Sequence, residues 1–389
     1  MRPVGEIFWT FLRLGLIAFG GPVAHMGYYR RWFVEERGWI SDTAYAQLVA
    51  LSQMLPGPSS SQTGFAIGIY QGGLRGGLAA WLGFTLPSAL IMIALGVGVS
   101  QLGGLAGAGW LQGLKLAAIA VVAHALYGMA RQLCPDRERL GIAAAAALGA
   151  SIIPGVAGQI AMIFAGGFCA LAVLPAPRTP GRELQVPLSR LQGIASLALF
   201  AIGLVALGIP WSGDALWGVL YRSGALVFGG GHVVLPLLET GLVTPGLIDG
   251  DRFLAGYGAA QAVPGPIFTF AGYLGAQMAP SQAWLAGLLA VLVIFAPGLL
   301  LVVALLPFWQ ALSGYRRVRQ ALLGINAAVV GLLAAVLWDP LLRAGLHSLG
   351  DGLIVAAALV SLATGRIPVY LVVAGCALAV ALSKLLGSV

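Results

Sequence analysis

Charged residues are scarce in this sequence. Asp, Glu, Lys and Arg make up 9% of 389 residues, where a soluble domain carries about 25%. A surface so short of charge would not stay dissolved, which excludes a soluble enzyme or binding module. Carboxylates are scarcest, 13 in all, and none sits at the centre of an apolar run. That absence argues against a proton pump built on a buried Asp or Glu relay. It also leaves no paired aspartates for intramembrane proteolysis and no aspartate-rich motif for prenyl transfer. No HExxH occurs, and the three cysteines (Cys134, Cys169 and Cys376) are scattered without a CxxC. No metal site, disulfide or cofactor is therefore expected. The basic residues form no stripe interleaved with aromatics, which excludes a nucleic-acid partner despite a net charge of +8.

What is present is apolar. Hydrophobic residues make up 59% of the chain, and the mean hydropathy is +0.93. Many of the 57 glycines lie inside apolar runs such as GGLRGGLAAWLG (72–83), where small residues let membrane helices approach closely. The class expected is an all-α polytopic membrane protein whose partner is the lipid bilayer. The first apolar run lacks a small-residue cleavage site and reads as a membrane helix. Apolar segments fall at about 8–26, 43–73 (broken at prolines), 77–100, 108–131, 139–153 and 158–174. An additional segment spans about 191–209. A second set follows at about 215–236, 251–279 (broken), 282–307, 320–338, 350–364 and 367–386.

The two sets are related. TFLRLGLIAFGGP (10–22) matches VLYRSGALVFGGG (219–231) at a shift of 209, and QMLPGP (53–58) matches QAVPGP (261–266) at a shift of 208. AVVA (120–123) matches AVVG (328–331), and CALAV occurs at 169–173 and 376–380. Four matches in one order indicate a duplication. The division expected is an N-terminal half over 1–175, a cytoplasmic linker over 176–190, an additional helix over 191–210 and a C-terminal half over 211–389. Counting each broken segment as one crossing gives about thirteen crossings. With the N-terminus in the cytoplasm, the cytoplasmic loops carry Arg75, Arg131, Arg137, Arg139, Arg178, Arg182, Arg190, Arg316, Arg317, Arg319 and Arg366. The outer loops (101–107, 154–158, Trp211–Asp214 and 339–351) are mostly neutral or acidic, and the one exception is 30–37, with three arginines. Treating the broken segments as re-entrant hairpins would move Arg316–Arg319 and Arg366 outside, against the positive-inside rule. Thirteen crossings make the halves inverted repeats, with a site expected near the midplane where broken helices meet.

The breaks supply the candidate chemistry. Pro56, Gly57 and Pro58 stop a helix, as do Pro264, Gly265 and Pro266. A break within lipid needs protein or a water-lined cavity around it. The helix starting at Ser59 would aim free amides into the break, with hydroxyls from Ser59, Ser60 and Ser61, while the second copy offers Thr269; such an end attracts anions. A simple proline kink is the alternative. Arg13 and Arg222 each precede a Phe-Gly-Gly by six residues and could converge on one dianion through forked hydrogen bonds; snorkelling to the interface is the other reading. Gly20, Gly21, Gly229 and Gly230 would let backbone approach a ligand. His25 and His232 line the pathway, carry a proton or merely pack. Gln53 and Gln261 bind an oxyanion or cap the severed helix. Lys115 reads as interfacial, and Asp42 and Asp249 as helix N-caps.

FGGP followed by Ala24-His25, LPGPSSSQ, FGGGHVVLP and PGPIFTFAGYLGA together resemble the chromate ion transporter family in its long, two-domain form, over essentially the whole chain. The resemblance implies antiparallel halves and export of chromate, a divalent tetrahedral oxyanion, from the bacterial cytoplasm across the inner membrane, giving chromate resistance. Sulfate has the same charge and shape and is a linked substrate. Ser59 stands where the family often has Asn. A sulfate uptake carrier, an ion channel and a membrane-embedded enzyme are the competing readings. A homodimer is compatible with the sequence.

Overall fold

The computed structural model describes residues 1–101, 109–153, 156–175, 184, 186–207, 215–228, 233–309 and 315–386. Every regular element among them is helical. The first apolar run is not one helix. α1 (Val4–Ile17) stops before Phe19-Gly20, and α2 (Gly21–Tyr29) starts anew with Gly20 as its N-cap and Pro22 in its first turn. The chain then runs back along α1 through a wide π-wound turn, Arg30–Glu36. Phe33 stacks on Phe11 with ring centroids 4.9 Å apart, and Tyr29 lies 5.9 Å from Phe11. The start and end of this hairpin lie together, with the Arg2 guanidinium 4.7 Å above the Trp39 ring.

α3 (Asp42–Met54) and α4 (Ser59–Gln101) flank the first Pro-Gly-Pro. The Gln71 side-chain amide donates to Trp39 O, and Arg2 N donates to Gln71 O at 2.8 Å. Residues 39 and 71 bracket the Pro-Gly-Pro segment, so that segment is a second hairpin whose ends meet. A broken helix crossing the membrane, as the count of thirteen assumed, would hold them roughly 45 Å apart at 1.5 Å per residue. α4 folds back once more at Gly72–Gly73, whose dihedrals are non-helical. A Cβ on Gly68 would lie 2.5 Å from Gly76 O, so the two arms pack backbone to backbone. The long arm is followed by α5 (Gly109–Leu133), α6 (Arg137–Ile152), α7 (Val156–Val173) and α8 (Arg190–Ala206).

The second repeat follows the same course. α9 (Ala215–Leu226) pairs with α10 (Val234–Leu238) and a π-wound turn, Glu239–Val243, in which Gly241 packs against Val219. α11 (Gly250–Ala262) and α12 (Phe270–Met278) flank the second Pro-Gly-Pro, and Tyr273 Oη donates to Arg252 O at 2.9 Å. That bond again joins the two arms of a hairpin. α13 (Ala283–Leu305), α14 (Arg316–Val336), α15 (Leu349–Thr364) and α16 (Val369–Leu386) complete the chain. The repeats interlock. α5 packs on α16, where Gly113 meets the Cys376 backbone. Its counterpart α14 packs on α7 and α6, where Gly324 meets Gly166 and Gly331 meets Ala143. Each half therefore seats a helix in the other, and these small-residue contacts form the seam.

Among the described residues, four helical stretches are long and apolar enough to cross a membrane: Ser59–Val99, Gly109–Leu133, Pro280–Phe308 and Arg316–Asp339. α8 exposes Leu191, Ile194, Leu199, Ile202 and Val205, an outward apolar face suited to lipid. Two local expectations change. Asp249 caps α11, accepting from Arg252 N at 3.0 Å, but the cap of α3 is Ser41, and Asp42 pairs instead with Arg30. Lys115 is buried rather than interfacial, and its Nζ donates to Asp251 Oδ1 of α11 at 2.8 Å.

Candidate functional site

The two glycine-rich signatures lie at the hairpin tips, and their described residues bond reciprocally across the halves. Gly57 N, in the first Pro-Gly-Pro, donates to Val227 O at 2.6 Å. Gly265 N, in the second, donates to Ala18 O at 2.9 Å. Residues 57 and 265, like residues 18 and 227, are repeat equivalents, so the halves exchange one identical bond. Both glycines have positive φ, +127° and +103°, and both lack room for a side chain. Gly57 sits against Gly298 and Gly265 against Ser88, and 88 and 298 are again equivalent. Only glycine takes this backbone at this distance without strain. Gln62 braces the first tip by donating to Pro56 O at 2.8 Å and Gly298 O at 3.1 Å. His25 Nε2 lies 3.0 Å from Ala18 O, the carbonyl that Gly265 uses. A carbonyl only accepts, so the ring is held as the Nε2–H tautomer.

Beside the tips lies a cavity of about 900 Å³, room for about thirty waters at roughly 30 Å³ each. Gly20, Gly21, Gly57, Ser59 and Gly265 line its inner end, and Arg30 and Asp42 lie at the hairpin bases. The starts of α2 and α4 therefore form part of the wall, and helix starts carry free amides and partial positive charge. Arg30 donates to Asp42 at 3.0 Å and to Glu35 at 2.7 Å, so its charge is already matched.

The structure brings some of the expected residues together and separates others. Gln53, Gln261, Gly20, Gly21, Gly57, Ser59 and Gly265 line the cavity. Ser60 and Ser61 are buried behind it, and Thr269 Oγ1 donates to Pro266 O at 2.8 Å, closing the second break. Pro56, Pro58, Pro264 and Pro266 frame the two tips. Arg13 and Arg222 do not meet. Arg13 is exposed on α1, and Arg222 is half-buried in a separate crevice with Val219, Ser223, Leu226 and Leu237. Their spacing before Phe-Gly-Gly fixes a position along each hairpin but not the side it faces. His25 is buried at the tip and is not part of the lining of this cavity. Gly229, Gly230 and His232 lie outside the described residues. Sequence reasoning missed His124 of α5, Gln132 and Asn326 of α14, all in the cavity wall. A histidine inside the apolar run VVAHALYG was the available signal for the first.

The family model for chromate transporters matches this chain twice, over residues 5–171 and 215–381. The chain belongs to the chromate transporter family. The probable chromate transport protein of Synechococcus elongatus is 29% identical over 90% of this chain and 88% of its own length. The chromate transport protein of Pseudomonas aeruginosa is 31% identical over 86% and 80%, and that of Cupriavidus metallidurans 27% over 84% and 80%. No solved structure matches. This member of the family is a multi-pass membrane transport protein, not an enzyme.

Proposed function

We propose that the chain exports chromate from the bacterial cytoplasm across the inner membrane, and so confers chromate resistance, through the cavity beside the four hairpin tips. The observation that carries this reading is the reciprocal pair of tip bonds, Gly57 to Val227 and Gly265 to Ala18, beside a cavity of about 900 Å³ in a member of this family. A tetrahedral dianion would be held by the amide ends of α2 and α4, Ser59, Gln53 and Gln261, with no resident cofactor.

The two halves are inverted in this reading. Lys115, near the start of α5, reaches the base of the second Pro-Gly-Pro hairpin at Asp251, and Gln277 Nε2 donates to Gly96 O near the end of α4 at 2.5 Å. The second repeat's hairpins thus rise from the face opposite Arg2. Four crossings per half plus α8 make nine, with two hairpins in each half. Arg30, Arg31, Arg37, Arg75, Arg137, Arg139, Arg190, Arg316, Arg317 and Arg366 then share the Arg2 face, which the positive-inside rule assigns to the cytoplasm. The cluster at 30–37 is no longer an exception. The cavity reaches the Arg30 base, so this is the cytoplasm-open state.

Chromate uptake into inside-out membrane vesicles, with sulfate as competitor, tests the function. Saturable chromate uptake that sulfate slows is expected. Uptake equal to that of vesicles lacking the protein would overturn the reading.

A further inference from the structure

We propose that His124 is a specificity-determining contact for the transported anion, attracting it in the imidazolium form. The inference rests on the transport reading above. The cavity wall holds Arg30, but Arg30 is answered by both Asp42 and Glu35. Its charge is therefore already matched and offers a dianion little net attraction. His124 is the remaining basic side chain among the described wall residues. It is exposed to the cavity and makes no hydrogen bond to other described residues. It lies three residues beyond Val121, the midpoint of α5, about 4.5 Å along the helix at 1.5 Å per residue. Asn326 lines the same cavity from α14, the repeat equivalent of α5, and its Oδ1 has no partner.

Other titratable groups near α5 do not compete for this position. Lys115, nine residues away on the same helix, is bonded to Asp251 of α11, and Tyr127 Oη takes Arg131 at 3.4 Å. Tyr257 and Arg252 of α11, Tyr370 and Cys376 of α16, Asp351 of α15 and the three arginines of α14 line no part of the cavity. Asp339, in the turn after α14, is bonded to Arg343. Across the cavity stand Arg30, Asp42 and Tyr45. The repeat equivalent of His124 is Leu332, buried in the packed second half, so the contact belongs to one side of the molecule alone.

Histidine is the side chain whose charge ordinarily changes between about pH 5 and 8. Chromate flux into proteoliposomes of the full chain should therefore show a half-saturating concentration, counted as the chromate dianion, that rises at least about fivefold between about pH 6 and 8. In His124→Gln that rise should be lost; chromate's own deprotonation, common to both proteins, raises the dianion fraction with pH and so works against the rise rather than producing it. His124→Lys should keep flux high at the upper pH. If the wild type moves no chromate at any pH, the transport reading fails. If it does, and His124→Gln repeats the wild-type pH profile, the histidine inference fails. Should the variants not insert, competition by sulfate on the wild type decides, because sulfate keeps its charge across this range. Weaker competition at high pH supports the contact, and pH-independent competition overturns it.

Discussion

At the residue scale, the glycines of the two Pro-Gly-Pro segments are the most constrained positions. The positive φ and the contact with residue 298 or 88 each forbid a side chain. Gly57→Ala and Gly265→Ala should each lower stability by about 1–3 kcal/mol. Chromate flux should fall more than tenfold at equal membrane abundance, because the tip bond to the other half is displaced. Thermal melting of the detergent-purified protein and vesicle flux check the two effects; wild-type flux in both variants would refute the tip assignment. These positions were legible in the sequence because Pro-Gly-Pro has one physical meaning wherever it lies. His124 and Asn326 were not, since a polar residue in an apolar helix shows its face only when neighbouring helices are placed. Arg13 and Arg222 illustrate the same limit. Their equivalence along the chain is real, and their convergence is absent.

At the element scale, the sequence showed where helices stop but not which way the chain leaves. A break between two apolar helices of about 13 residues fits either a broken crossing or a hairpin. The choice is made by long-range contacts such as Gln71 with Trp39 and Tyr273 with Arg252. In the proposed nine-crossing reading, the Phe-Gly-Gly and Pro-Gly-Pro hairpins of each half, each taken as one crossing from the sequence, cancel in parity, so the loop between them, 30–37 in the first half, changes face while the later loops keep theirs. The Lys115–Asp251 pair is the ion pair that ties α5 to a hairpin base of the other repeat. Its equivalents, Leu323 and Thr43, cannot form one. It should therefore hold the far side shut in the cytoplasm-open state. With Asp251 largely exposed, the pair is worth about 1 kcal/mol, enough to shift a two-state balance about fivefold. Asp251→Asn should raise the labelling rate of a cysteine placed at Leu254 by an outside-added thiol reagent, and the exchange Lys115→Asp with Asp251→Lys should restore it. No change in Asp251→Asn would remove the pair from the gating account.

At the scale of the whole molecule, the proposed inverted halves would place the termini on opposite faces. A cytoplasm-active reporter fused near Arg317 should be active and one fused after Val389 silent; the reverse pattern would contradict the orientation. In the proposed export, charge would set the direction of travel. One charge crossing 100 mV is worth about 2.3 kcal/mol, so a dianion gains about 4.6 kcal/mol over the same drop. A cytoplasm at negative potential expels a dianion, to roughly a thousand-fold lower concentration inside per 100 mV, since 1.4 kcal/mol is about tenfold. No carboxylate is buried among the described residues, and the field alone is sufficient.

The most direct measurement of this account is chromate uptake into inside-out vesicles carrying a potassium diffusion potential and no pH gradient. Uptake should accelerate when the lumen is made positive, slow when the potential is reversed, and vanish in Gly57→Ala vesicles. Uptake that ignores the potential and follows only an imposed pH gradient would contradict it.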